Sequence, residues 1–450
     1  MRQCKSKGSD TIKKHNIVIV GGGSTWTPGI LKSFIAHMED FPLKRLILYD
    51  IDPKRQNPIG EFGKILFKEE APGVEFLYTS DKAAAYSDVD FVFCQMRTGG
   101  YPMREKDEKI PLSFGIIGQE TCGPGGFAYG MRSIRDMVEL VEDVRKYSNA
   151  WIINYTNPAA IVALALSKAF PEDKRILNIC DQPVNLLRSY GHAIGYDYKK
   201  LNPRYFGLNH FGWFTHIYDE FGTDVAKKIK ETILNNGFKP VDAEQRDESW
   251  LDTYAIVKDL LQDFPEYLPN TYLQYYLYPE YKAAKLSPSF TRANEVMSGR
   301  EKKVFEECER AVAMGSSKDT LIVHNDAHGD MILEVAISIA QNLQKTYILI
   351  VPNQGIIANL PDDAMVESAA SLGANGASPY SVGNIDTFYK GLIENQYAFE
   401  KLTVEAYFEA SYSKALAALT LNRTVVDAKK ARKVLDALIE ANEGYWPKLL

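Results

Sequence analysis

The sequence predicts an α/β fold: a Rossmann-type, doubly wound parallel sheet followed by a mixed α+β half. Three observations predict it. A β-branched strand runs into three glycines, the next strand ends on an acid, and apolar strands alternate with helices up to about residue 200.

From Asn16 the chain reads NIVIVGGGSTWTPGILKSFIAHM. Gly21, Gly22 and Gly23 let the backbone turn tightly and approach a pyrophosphate. Ser24 and Thr25 then open a helix whose N-terminus would hold that group. The second strand, LKRLILYDID, ends on Asp50, placed to bond the ribose hydroxyls of an adenosine. An acid there repels a 2′-phosphate and so favours NAD over NADP. Two features depart from the dinucleotide fingerprint. Trp26 stands where the third glycine of G-x-G-x-x-G belongs, and Asp50 lies beyond the usual spacing of about 20 residues. A glycine run alone is a tight strand–helix turn; with Asp50 and the alternation it reads as a dinucleotide site.

Three more strands are expected in VDFVFCQM (89–96), WIINYTNP (151–158) and RILNICD (175–181). Helices over 131–147 and 159–170 separate them. Asn157 precedes Pro158 at the end of one strand. In lactate- and malate-dehydrogenase-like folds such an Asn-Pro lies beside the nicotinamide, although alone it is only a turn signal. Cys180 and Asp181 end the next strand, on the edge where open α/β sheets bind ligands.

Past residue 200 the alternation becomes irregular, which suggests a dinucleotide domain over 1–200 and a substrate domain over 201–450. RYFGLNHFGWFTHIYD (204–219) is strand-rich, and helices with charged faces dominate from Trp250 onward. His210 sits in GLNHFGW, where a lone histidine more often packs than ligates. Paired in space with Cys180, it would give one imidazole and one soft ligand, leaving positions open for substrate oxygens and water. A rival metal motif, HNDAH (324–328), lacks the glutamate of a zinc-peptidase helix and is followed by Gly329. Tyr272, Tyr275 and Tyr276 fall at helical spacing, the pattern of an aromatic core face; a tyrosine serving as base needs a nearby cation or metal. Arg104 and Arg292 suit a phosphate, or a surface ion pair. ETCGPGG (120–126) offers backbone N–H groups to an anion or forms a flexible loop.

Composition narrows the classes. A chain of 450 residues allows two or three domains. A net charge of −6 without basic tracts gives no sign of a nucleic-acid or membrane partner. No segment approaches the roughly 18 apolar residues of a membrane span, and the polar, basic start has no signal-peptide core. Five scattered cysteines, an odd number, fit a reducing cytoplasm.

The motifs GGGSTWTPGI, IGQETCGPGGFAYGMRSI, NYTNPAAI, NICDQPV, GLNHFGW, NTYLQYYL and TRANEVMSGR together resemble the NAD- and metal-dependent glycosidases of glycoside hydrolase family four. The likeness runs in order from about residue 17 through KLTVEAY (401–407). Within the family it is most similar to the branch acting on 6-phospho-α-glucosides. The resemblance implies that Cys180 and His210 hold a metal, usually manganese, that Asp181 protonates the leaving oxygen and that Tyr272 is the base. It assigns the phosphosugar to Arg104, Asn157 and Arg292. Gln182 departs from the methionine common in that branch, a position bearing on aglycone preference.

The implied reaction hydrolyses a substrate such as maltose 6′-phosphate to glucose 6-phosphate and the aglycone. It proceeds by NAD-dependent C3 oxidation, C2 deprotonation, elimination, water addition and re-reduction, outside the two-carboxylate scheme of most glycosidases. A dimer or tetramer is expected with it. The alternatives are a net NAD-dependent dehydrogenase of a sugar or hydroxy acid, which would accumulate NADH, and a sugar-phosphate sensor without turnover.

Overall fold

In the computed structural model, which describes residues 13–322 and 328–450, six parallel strands form the first layer. They are β1 (His15–Val20), β2 (Leu43–Tyr49), β3 (Glu75–Thr79), β4 (Phe91–Cys94), β5 (Trp151–Asn154) and β6 (Ile176–Asn178). Their order is β3-β2-β1-β4-β5-β6. Every residue of β1 is buried, as the unbroken HNIVIV run requires of a strand covered on both faces. Strand order reverses between β1 and β4, and a crevice opens there at the carboxyl ends.

β7 (Asn202–Leu208), β8 (Phe211–Tyr218) and β9 (Leu268–Pro269) make a small antiparallel sheet. The chain then returns to the first layer. β10 (Lys345–Pro352), β11 (Met365–Gly373) and β12 (Gly376–Pro379) extend it antiparallel beyond β6. The expectation of helices dominating from Trp250 onward misses these strands. A short apolar run such as YILIV fits a buried strand and a buried helix equally well. β11 also braces the small sheet: Ser368 Oγ donates to the Tyr205 carbonyl (3.3 Å) and Asn209 Nδ2 to Glu367 Oε1 (3.0 Å).

The C-terminal helix Ala428–Ala441 is tied to the helices Gly100–Ser113 and Gly123–Tyr147 through a buried charge. Arg132, 1% exposed, forks onto Asp107 (2.9 and 2.5 Å) and donates to Asn442 Oδ1 (2.5 Å). Among the described residues no helix is long and apolar enough to cross a membrane.

A second buried acid makes stability pH-dependent. Glu400, inside the helix Thr387–Phe408, accepts from Gln396 Nε2 (2.9 Å). Burial pushes its carboxyl up to about 8, against the lowering effect of that bond. A carboxyl raised on folding supports the native state fully below its ordinary value of 4.5 and loses that support as pH rises through 8. Glu400→Gln, which cannot ionise, is therefore expected to match the parent Tm at pH 5 and exceed it by about 2 °C at pH 9. Calorimetry showing the same difference at both pH values would contradict the assignment.

Candidate active site

Two cavities meet at the crevice. The larger, about 1090 Å³, is lined by Gly21, Gly23, Ser24, Thr25 and Asp50. The smaller, about 370 Å³, is lined by Arg104, Cys180, Asp181, His210, Tyr272 and Arg292. Trp26, Arg97, Asn157 and His328 line both, so the two share a wall.

In the larger cavity the glycine loop follows β1 and is pinned to β2. Gly21 and Gly22 both donate to the Tyr49 carbonyl (3.0 and 2.9 Å). Gly21 has φ +83°, and a Cβ there would lie 2.9 Å from the Gln95 carbonyl oxygen, so only glycine fits. Gly22 faces Leu48 instead of the cavity. Trp26, in the third glycine's place, caps the helix Thr27–Ala36 and carries the Arg300 guanidinium 4.4 Å above its ring. Asp50 accepts from Gly23 N (2.8 Å) and Asp52 N (2.9 Å), one bond on each oxygen. A carboxylate has about four acceptor positions, so room remains for two ribose hydroxyls. The residues fit a dinucleotide.

In the smaller cavity, β6 runs out toward Cys180, and β7 and β8 are joined by a two-residue turn, Asn209-His210. His210 has φ +62°, a left-handed conformation that costs a non-glycine residue about 1–3 kcal/mol and gathers at functional sites. The turn brings His210 Nε2 to 3.5 Å from Cys180 Sγ. Thr121 Oγ1 meets Nδ1 at 3.1 Å. Burial lowers His210 to about 4, so the imidazole is neutral near pH 7. With its proton on Nδ1, facing Thr121, Nε2 presents a lone pair. Burial pushes the Cys180 thiol well above its usual value, and a cation would stabilise the thiolate. Among the described residues no third His, Cys, Asp or Glu joins the pair. The donor set fits a divalent ion with most of its positions open.

Asp181 begins the helix Gln182–Ala193 and its Oδ2 meets His328 Nδ1 at 3.0 Å. Burial raises its pKa, but the His328 bond and the nearby imidazoles outweigh burial and hold it low. His328 is a site residue the sequence points to only as half of HNDAH; His324 lies outside the described residues. Tyr272 stacks on the His210 ring (centroids 4.2 Å, 20°), and burial pushes its hydroxyl well above 10.0. Tyr275 also lines the cavity, whereas Tyr276 is buried in the core.

Both nominated arginines are already paired. Arg104, buried, meets Glu108 (2.8 Å) and Glu120 (3.3 Å). Arg292 meets Asp247 and Glu295 at 2.5 Å each. ETCGPGG is a packed turn. Glu120 also binds Arg97 (2.5 Å), Thr121 holds His210, and the buried Gly123 opens the helix Gly123–Tyr147.

Comparison with known proteins identifies the relatives of this chain. The model for "Family 4 glycosyl hydrolase" matches residues 16–191, and that for its C-terminal domain residues 205–425. The phospho-alpha-glucosidase PagL of Clostridium acetobutylicum is 47% identical over 448 residues, covering 97% of this chain and 100% of the relative. The maltose-6′-phosphate glucosidase MalH of the same organism is 47% identical over 442 residues, covering 97% and 100%. A crystal structure of a 6-phospho-alpha-glucosidase from gut microorganisms, in complex with NAD and Mn²⁺, superposes with a TM-score of 0.96 at 57% identity. It covers 97% of this chain and 100% of that one.

Proposed function

We propose that this chain, which belongs to family 4 of the glycosyl hydrolases, hydrolyses 6-phospho-α-glucosides, with NAD and a divalent ion such as Mn²⁺ as cofactors. The observation that carries this is the shared wall: a cavity with a Cys180–His210 donor pair, an acid and a tyrosine opens directly onto one shaped for a dinucleotide. The names of the relatives and the NAD and Mn²⁺ of the crystal structure support the same substrate and cofactors.

When bound, NAD accepts and returns a hydride at the sugar, and the divalent ion acts as a Lewis acid toward sugar oxygens. The chain's own residues do the rest. Tyr272 takes the proton from C2, its phenolate favoured by the positive charge held at Cys180 and His210. Asp181 is the proton donor to the glycosidic oxygen, taking up a proton in the substrate complex once the His328 bond that holds its pKa low is loosened. Asn157, Arg104 and Arg292 hold the phosphosugar across the junction of the cavities. We place the dinucleotide site in residues 1–200 and let 201–450 supply His210, Tyr272 and Arg292, a division supported by the limits of the two family models. A cytoplasmic site is supported by four buried free cysteines among the described residues. A homo-oligomer, dimer or tetramer, rests on the family resemblance.

Release of p-nitrophenol from its 6-phospho-α-glucoside, with NAD⁺ and Mn²⁺ added, tests this reading. Many turnovers per NAD⁺ are expected, with no net NADH. The unphosphorylated glucoside is expected to fall about 10- to 100-fold in kcat/KM, the weight of a charge-assisted phosphate contact. Stoichiometric NADH would favour a net dehydrogenase, and equal rates with both glucosides would remove the phosphate from the reading.

A further inference from the structure

Trp26 stands where a dinucleotide fingerprint carries its third glycine. Glycine there lets the helix pack closely on its strand and puts nothing bulky at the crevice. An indole in the same place has to project somewhere, and it lines both cavities. Its backbone belongs to the cofactor side. The N–H donates to Ser24 Oγ (3.3 Å), and the carbonyl accepts from Ile30 N (3.1 Å) in the first turn of the helix Thr27–Ala36. Backbone N–H groups hold a pyrophosphate at such a turn, so the ring serves something else.

The ring meets the histidine that holds the acid. Its centroid lies 5.0 Å from that of His328, with the planes tilted by 35°. Tyr155 approaches the same imidazole edge-on, at 5.2 Å and 82°. Two aromatic rings therefore bound His328, whose Nδ1 lies 3.0 Å from Asp181 Oδ2. The indole is fixed in turn by the Arg300 guanidinium, 4.4 Å from its centroid and 3.3 Å from the Tyr101 hydroxyl. Contacts thus run from the glycine loop through Trp26 and His328 to Asp181. The Asp181 bond has to loosen for the carboxyl to take up its proton, and an imidazole wedged against aromatic rings cannot follow it.

We propose that Trp26 is a positioning residue for the leaving-group acid: by fixing His328 it sets where the Asp181 carboxyl stands, so that a residue of the dinucleotide loop governs protonation of the aglycone. The proposal rests on the function given above and explains the departure of this loop from the glycine fingerprint.

Two substrates and a label test it in the enzyme loaded with NAD⁺ and Mn²⁺. In Trp26→Ala, kcat for maltose 6′-phosphate, a poor leaving group, is expected to fall about 10²-fold, the effect of a catalytic group misplaced by about 1 Å. An activated p-nitrophenyl 6-phospho-α-glucoside needs little acid help and should lose less than about tenfold. The Kd for NAD⁺, measured by calorimetry, should stay near that of the parent. In D₂O the unreacted maltose 6′-phosphate should gain deuterium at C2, because C2 deprotonation reverses while departure of the aglycone lags. His328→Gln is expected to show the same pattern, and the double variant to lose little more than the weaker single one. Trp26→Phe, which keeps a ring against His328, should recover most of the loss. If alanine prevents folding, Trp26→Leu gives the same readout. Equal losses on both substrates together with weakened NAD⁺ binding would make Trp26 a wall of the dinucleotide pocket and overturn the proposal. Additive losses in the double variant, or a phenylalanine variant no better than alanine, would overturn it too. A parent that hydrolyses neither substrate would bring down the function itself. A normal parent beside an indistinguishable Trp26→Ala variant would bring down only this proposal.

Discussion

Tyr272→Phe is expected to lower kcat by about 10²- to 10⁴-fold, the usual contribution of a positioned general base, while KM and Tm stay near those of the parent. The phenylalanine ring can keep the stack on His210, whose centroid lies 4.2 Å away. Only the hydroxyl is lost. That hydroxyl is pushed well above 10.0 by burial, with Tyr275, Glu120 and the thiols of Cys122 and Cys180 adding to the rise. Protein groups alone would leave it a phenol at neutral pH. As the proposed base it would depend on a positive charge held beside it, and metal removal is expected to abolish the same step. Glucose 6-phosphate released in D₂O should carry deuterium at C2, because the proton taken by Tyr272 exchanges with solvent, and a control must account for isomerase-driven exchange. Tyr275 is the natural comparison. It too lines the cavity, its ring 5.5 Å from that of Tyr272, yet it does not stack on His210. Tyr275→Phe should retain both turnover and label. Full C2 labelling and turnover in Tyr272→Phe would move the base elsewhere.

The parts of this molecule that were legible in the sequence are those written in local pattern. β1, β2, β4, β5 and β6 fall within the expected apolar runs, because a parallel sheet covered on both faces demands continuous apolar strands. Asp50, Cys180 and Asp181 were visible because each stands where a strand runs out, and strand ends face the crevice. What local pattern does not carry is pairing. Nothing in YPMREKDEK or SFTRANEV says that Arg104 and Arg292 are each met by two carboxylates. Charge balance is a property of the folded wall, assembled here from segments as distant as Glu108 and Arg292. His328 was obscured for a related reason: it meets Asp181, 147 positions away. β10–β12 were missed because their place is fixed by β6 and by the small sheet they brace, contacts that no window of sequence contains.

Cys180→Ser is expected to strip most of the bound Mn²⁺ and with it nearly all activity. With Cys180 and His210 as the two proposed protein donors, removing one leaves a single imidazole. A serine hydroxyl does not ionise at neutral pH, whereas a metal deprotonates a coordinating thiol outright. The loss in metal affinity should exceed the 10- to 100-fold typical of removing an outer hydrogen-bond partner. Thr121→Val supplies that comparison within the same site. It deletes the hydroxyl 3.1 Å from His210 Nδ1 and leaves both donors in place, so its affinity should fall within the 10- to 100-fold range. Folding should survive in both variants. Cys180 and Ser differ by one atom, and Cys180 belongs to a large buried apolar cluster that also holds Phe127, Ala128 and Ile161. Metal content after gel filtration, measured beside Tm, separates the cases. Parent-like manganese in Cys180→Ser would place the ion elsewhere. A loss in Thr121→Val as large as in Cys180→Ser would mean that the orientation of His210 governs binding more than the thiolate does. The left-handed turn at Asn209-His210 would then be the feature holding the metal site together.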